Sequence, residues 1–151
     1  MKHRRFLALI TLPLVLSVGA CGSSGSGSGG SQDDSAATSY KVLDLVSAKG
    51  AGGTAASALT WLQTPASRDE YAAQFTGPLE AKLSAAFASA KPAAGQDLFA
   101  SIVSVGCGAP TDAVVFHSFD GVVVQASPSP DASGCTTPTT TVAVVAGPPP
   151  E

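Results

Sequence analysis

The side chains in this 151-residue chain that could do chemistry are few: the imidazole of His117, three cysteine thiols, and the adjacent carboxylates Asp69 and Glu70. A Ser/His/Asp site would have to use His117 as its base, because the other histidine, His3, sits in a basic N-terminal stretch. The chain has no Gly-x-Ser-x-Gly elbow, and His117 falls inside a β-rich run. Asp69 and Glu70 belong to Ser67-Arg68-Asp69-Glu70, which has capping-box spacing and needs no general acid/base role. Two histidines and three cysteines are too few and too scattered for a metal cluster, and no Walker motif occurs. No catalytic residue, metal or cofactor is therefore expected. A hydrolase using His117 is the enzyme alternative.

The elements that would position a site begin with the chain's destination. Lys2, His3, Arg4 and Arg5 form a positive segment, and Phe6 to Val18 an apolar one that ends in small residues, the shape of a secretory signal. A bilayer-spanning helix needs about 20 apolar residues. This run is shorter, contains Pro13, and cannot extend into the polar stretch from Gly22.

The stretch Val18-Gly19-Ala20-Cys21 resembles the lipobox of bacterial lipoproteins, an aliphatic residue and two small ones before an obligatory Cys. The resemblance implies a diacylglyceryl thioether on the Cys21 thiol, cleavage of residues 1–20, and acylation, such as palmitate, of the new amino terminus. Two acyl chains hold a protein stably on a membrane where one holds it marginally. Absence of Asn, scarcity of Ile, and abundant Ala, Gly, Val and Pro fit GC-rich codons, as in an actinobacterial-type lipoprotein. On this reading the location is the extracytoplasmic face of the cell membrane.

After Cys21, the Gly/Ser-rich residues 22–37 cannot bury enough apolar surface to fold and read as a flexible tether. Its typical reach is about 20 Å, with a stretched limit near about 50 Å. Within it, Gly25 to Gly30 satisfies the Gly-x-Gly-x-x-Gly pattern of dinucleotide-binding turns. Lacking the flanking strand and helix that give the motif meaning, it is taken as coincidence.

Lipidation of Cys21 leaves Cys107 and Cys135 as the exported cysteines, expected to form a structural disulfide in an oxidising compartment. A redox pair would favour Cys-x-x-Cys spacing. Beyond residue 20, five Lys/Arg stand against eleven Asp/Glu, a net charge of −6. Scattered mild acidity does not suit a nucleic acid, whose affinity comes from clustered Lys and Arg.

Residues 40–147 read as one globular domain, followed by a Pro-rich tail over 148–151. Tyr40 to Val46 reads as a strand and Ala58 to Leu62 as a second, with Trp61 expected in the core. A helix is expected from Ser67, with Tyr71 and Phe75 on one face. Another should start at Pro78 and run to about Ala90, presenting Leu79, Leu83, Ala86, Phe87 and Ala90 to a sheet. Leu98 to Val105 should be a central strand. Asp120-Gly121, between the β-rich runs Val114 to Phe119 and Val122 to Ala126, signals a two-residue hairpin pairing Phe119 with Val122 and His117 with Val124. A last strand follows the Ser127 to Pro130 loop, over Thr140 to Ala146. The order implies an α+β fold, a mostly antiparallel sheet with two helices on one face and one disulfide, with a small β-sandwich as the alternative.

Two stretches suggest interaction. Gly106, Cys107, Gly108, Ala109, Pro110 and Thr111 would form a short loop pinned by the disulfide, of the kind that secreted protease inhibitors insert into a cleft. Thr136 to Thr141 resembles Thr/Pro segments that carry O-linked sugar in exported actinobacterial proteins, and otherwise reads as a loop into a β-branched strand. The functional expectation is a membrane-anchored envelope lipoprotein whose domain binds an envelope protein or small ligand. His117 and the 106–111 loop are its candidate contacts, and inhibition of an envelope or secreted protease is an alternative.

Overall fold

The computed structural model describes residues 39–119, 121–129 and 134–150. The leader over 1–20, Cys21, the tether to residue 37 and Asp120 lie outside the described residues. The elements are β1 (Lys41–Lys49), β2 (Thr60–Trp61), α1 (Pro65–Ala72), α2 (Pro78–Ser89), β3 (Asp97–Gly106), β4 (Ala113–Ser118), β5 (Gly121–Ala126) and β6 (Thr139–Gly147). An antiparallel sheet takes the order β1-β6-β3-β2, and β4 and β5 form a separate two-stranded ribbon. The α+β arrangement expected from the sequence is present.

All nine residues of β6 are buried, although its sequence does not alternate. Strands β1 and β3 flank it in the sheet, and each of its faces is covered by a different layer. On one face Val142 and Val144 pack with Val46, Leu98 and Ala100 against Tyr71, Leu79, Leu83 and Phe87 of the helices. On the other, Ala143 and Val145 pack with Phe99 against Ala113 and Val124 of the ribbon. A strand covered on both faces reads as a continuous β-branched and apolar run, here Thr140 to Ala146, which is legible as a strand but not as an amphipathic one. Both flanking strands have a register shift, β1 between Val42 and Asp44 and β3 between Ile102 and Ser104. Such bulges bend and twist the ladder locally.

Gly147, the last residue of β6, lies beneath the ring of Tyr40, and a Cβ there would fall inside that ring. The aromatic covers the glycine, a known way of supporting a Gly in a sheet. Gly147→Ala is expected to cost about 1–3 kcal/mol by overpacking. The control is Gly106→Ala, where a Cβ meets nothing within 4 Å. Equal urea midpoints for the two variants would contradict the close packing.

Three local expectations are corrected. Helix α1 begins at Pro65, three residues earlier than the Ser67-to-Glu70 spacing implied. Thr64 is the N-cap, its Oγ1 accepting the Ser67 N–H at 3.1 Å while Ser67 Oγ accepts the Thr64 N–H at 3.1 Å. Pro65 fits the first helical position because no partner is needed there for the N–H it lacks. Helix α2 behaves as expected, with Pro78 in its first turn, Leu79, Leu83 and Phe87 buried, and Ala86 and Ala90 partly buried against the same core.

The hairpin register is also different. Ser118 pairs with Gly121, His117 with Val122, and Val115 with Val124, so Phe119 is not paired and Gly121 is a strand residue. This register puts Val115 and Val124 opposite each other on the face that packs on the sheet, which favours it over one that pairs Val124 with His117. Main-chain contacts hold it in place, with Val124 N–H donating to Ser57 O at 3.0 Å and Ala58 bridging to Val123. The third correction is Trp61, which is 37% exposed rather than core. On the two-residue edge strand β2 it pairs with Phe99, and its indole N–H donates to Asp97 Oδ2 at 2.9 Å. The polar atom of the ring has a partner at the surface and would have needed another inside.

Candidate functional site

Cys107 and Cys135 form a disulfide, with Cα atoms 5.1 Å apart. Cys107 follows the end of β3 and Cys135 precedes β6, and these two strands are sheet neighbours, Gly106 pairing with Thr139. The bond closes a loop of 28 residues that includes the whole β4/β5 ribbon. The Cys135 N–H also points to Cys107 Sγ, at 3.0 Å.

From Cys107 the chain runs through Gly108 to Thr111 and into β4, and this segment forms one wall of an open groove of about 870 Å³. Tyr40 to Leu45 and Ser47 of β1 form the other wall, and Ala109, Pro110, Thr111 and the first half of β4 face them. The groove thus lies between two strand edges that, among the described residues, are not paired with another strand, that of β1 and that of β4. Part of this main chain is already engaged by side chains. Asp44 Oδ1 accepts the Leu45 N–H at 2.8 Å, Lys82 Nζ donates to Ser47 O at 2.9 Å, and Asp112 Oδ1 accepts the Ala113 N–H at 2.8 Å. Natural edge strands use charged side chains in this way to resist addition of another strand. The groove is therefore suited to side-chain contacts, with the charged Lys41, Asp44 and Asp112 lining it beside the apolar Val42 and Val115.

Of the sequence-nominated contacts, Ala109, Pro110 and Thr111 meet in this groove, while Gly106 ends β3 and Gly108 is partly buried beside the disulfide. Pro110 is buried and Ala109 and Thr111 are exposed, so the loop is held to the domain through Pro110. His117 is not brought to these residues. It is exposed near the end of β4, its ring 6.1 Å from that of Tyr40 in an edge-on arrangement. Asp69 and Glu70 lie exposed on α1. Among the described residues no group of three His, Cys, Asp or Glu is arranged to hold a metal ion, and no helix is long and apolar enough to cross a membrane.

Thr139, Thr140 and Thr141 are buried in β6, with Thr140 Oγ1 donating to Gly52 O at 2.6 Å and Thr141 Oγ1 hydrogen-bonded to Ser47 Oγ at 2.9 Å. Of the Thr/Pro stretch, only Thr136 and Thr137 are exposed hydroxyls open to modification. The residues that sequence reasoning missed are those of β1 that form the facing wall. Their signal is the charge at Lys41 and Asp44 flanking the apolar Val42 and Leu43.

In the helix layer, Tyr71 packs between Phe75 and Phe87, at ring distances of 5.7 and 6.2 Å. Burial pushes its phenol up to about 12. A folded-state value above the unfolded one means stability is fully present below about pH 10 and lost as pH rises through about 12. The expected slope in that window is about 1.4 kcal/mol per pH unit. Denaturation midpoints followed against pH should show this limb in the wild type and not in Tyr71→Phe.

No family model matches the chain, and neither the curated proteins nor the solved structures searched contain a match.

Proposed function

We propose that the chain is a lipoprotein held by Cys21 at the extracytoplasmic face of the membrane, whose disulfide-bonded domain binds an envelope protein or small ligand. The anchor rests on the basic start, the apolar run, the lipobox-like Val18-Gly19-Ala20-Cys21 and the Gly/Ser tether, four consecutive features consistent with one another. The observation that carries the binding role is the groove between β1 and the 109–115 segment. Its size is that of small-molecule sites, which run from about 300 to 1,000 Å³. One wall is built on a sheet strand and the other is tied back through the disulfide, so little ordering is needed on binding. A loop held to the domain through buried Pro110 and forming a groove wall favours a receiving surface over an inserting one, and so favours binding over protease inhibition.

The test is site-specific photocrosslinking in the native membrane, with the photoreactive side chain at Thr111 in the groove or at exposed Ala88 on α2. The expected result is a discrete adduct from Thr111, absent from Ala88 and lost with Cys21→Ala. Identical adducts from both positions, or none from either with ligand screening of the isolated groove also blank, would remove the binding role.

A further inference from the structure

The chain that connects the domain to Cys21 joins it at Ser39, at one identifiable end of the sheet. Ser39 O accepts the Gln96 side-chain N–H at 2.9 Å, and the next residue, Tyr40, stacks edge-on with Phe99 at 5.6 Å and with His117 at 6.1 Å. Strand β4 runs toward this end. His117 is two residues short of Phe119, or about 7 Å at strand spacing. The hairpin tip therefore lies at the end of the domain where the chain to Cys21 leaves.

Phe119 at that tip is fully exposed, at 110% of its reference area. Phe116 follows the same ribbon at 43%, and Trp61, paired with Phe99, is exposed nearby on the sheet. Lys41 begins β1 at this end. A projecting aromatic on a narrow turn is convex, so no rigid partner needs to match its shape. A bilayer interface deforms around it and is where amphipathic Trp rings and Lys side chains also rest.

From this geometry we infer that the hairpin tip is a membrane contact, Phe119 entering the interface of the bilayer that holds the lipidated Cys21. The inference rests on the lipoprotein reading above. One phenyl ring is a weak binder alone, but the tether, with a typical reach of about 20 Å, keeps it near the surface, so its contact is effectively intramolecular. The contact then sets orientation. The hairpin end faces the lipid, and the disulfide end, with Ala109 and Thr111, faces away from it. The exposed Phe119 ring carries the contact, so anionic lipid is not required for it.

The experiment uses the full chain, processed by a bacterial host, purified from membranes and reconstituted into phosphatidylcholine vesicles with brominated acyl chains. A Trp61→Phe background carries either Phe119→Trp or, at the opposite end beside Gly106, Val105→Trp. Phe119→Trp fluorescence should be quenched by bromine and protected from aqueous iodide, and Val105→Trp the reverse, at low and high salt alike. Should Trp61→Phe unfold the domain, Phe119→Trp alone is read as its difference from wild type. Quenching of Phe119→Trp by iodide and not bromine overturns the inference. So does protection from both quenchers, which would mean a protein or second copy covers the tip. The intact mass reports separately on the anchor. If Cys21 carries no lipid, the lipoprotein reading fails, and the same variants coupled through the Cys21 thiol to a maleimide lipid still decide whether the tip enters the bilayer.

Discussion

Replacing Cys107 and Cys135 together by Ser is expected to destabilise the domain by about 3–4 kcal/mol, from the chain entropy of a 28-residue loop. A small domain has only about 5–15 kcal/mol in total, so the midpoint should fall by on the order of 15–20 °C. The loss has a place in the fold as well as a size. The closed loop holds the ribbon whose Ala113 and Val124 cover Phe99, Ala143 and Val145, while the helix-side core lies on the other face of the sheet. Hydrogen exchange should therefore accelerate first in β4 and β5 and last in α2. The Thr111 wall should loosen with them, so the binding proposed for the groove should weaken before the domain unfolds. A double variant with the wild-type midpoint would show the bond to be incidental.

The second large effect is at Leu83. It is fully buried among Leu79, Phe87 and the sheet residues Val142 and Val144. Leu83→Ala removes packing and leaves a cavity that the β6 backbone, fixed on both sides by ladders, cannot collapse to fill, so the cost is expected at about 3–5 kcal/mol. Val114→Ser, on the exposed face of the ribbon, should stay within about 0.5 kcal/mol of wild type. Urea unfolding of both separates core from surface. Similar midpoints would contradict the layer assignment.

Leu83 also illustrates what the sequence makes legible. The Leu79, Leu83 and Phe87 spacing is a helical stripe, and a stripe must meet an apolar sheet, so both the helix and its role follow from periodicity. The pairing of Cys107 with Cys135 was legible because few partners were possible. Trp61 was not, since whether an aromatic is core depends on strand order, and nothing local says that β2 is a two-residue edge. The Asp120-Gly121 turn signal located the hairpin but not its register, because packing of Val115 and Val124 on a distant strand outweighed the local preference. Thr64 does not stand out as the cap in the sequence, because Ser67 to Glu70 offers the same spacing three residues on. Ala109 to Thr111 stood out as a tied loop, yet the β1 wall opposite them is reached only through the fold. A groove made by residues 70 positions apart leaves no local pattern to read.

The lipoprotein reading turns on Cys21, and the most direct measurement is the mass of the N-terminal peptide of the chain recovered from membranes. The expected result is a chain starting at Cys21 with a diacylglyceryl thioether on its sulfur, and an uncleaved, unlipidated precursor for Cys21→Ala. A membrane-bound chain that starts elsewhere, or that carries Cys21 as a free thiol, would contradict it.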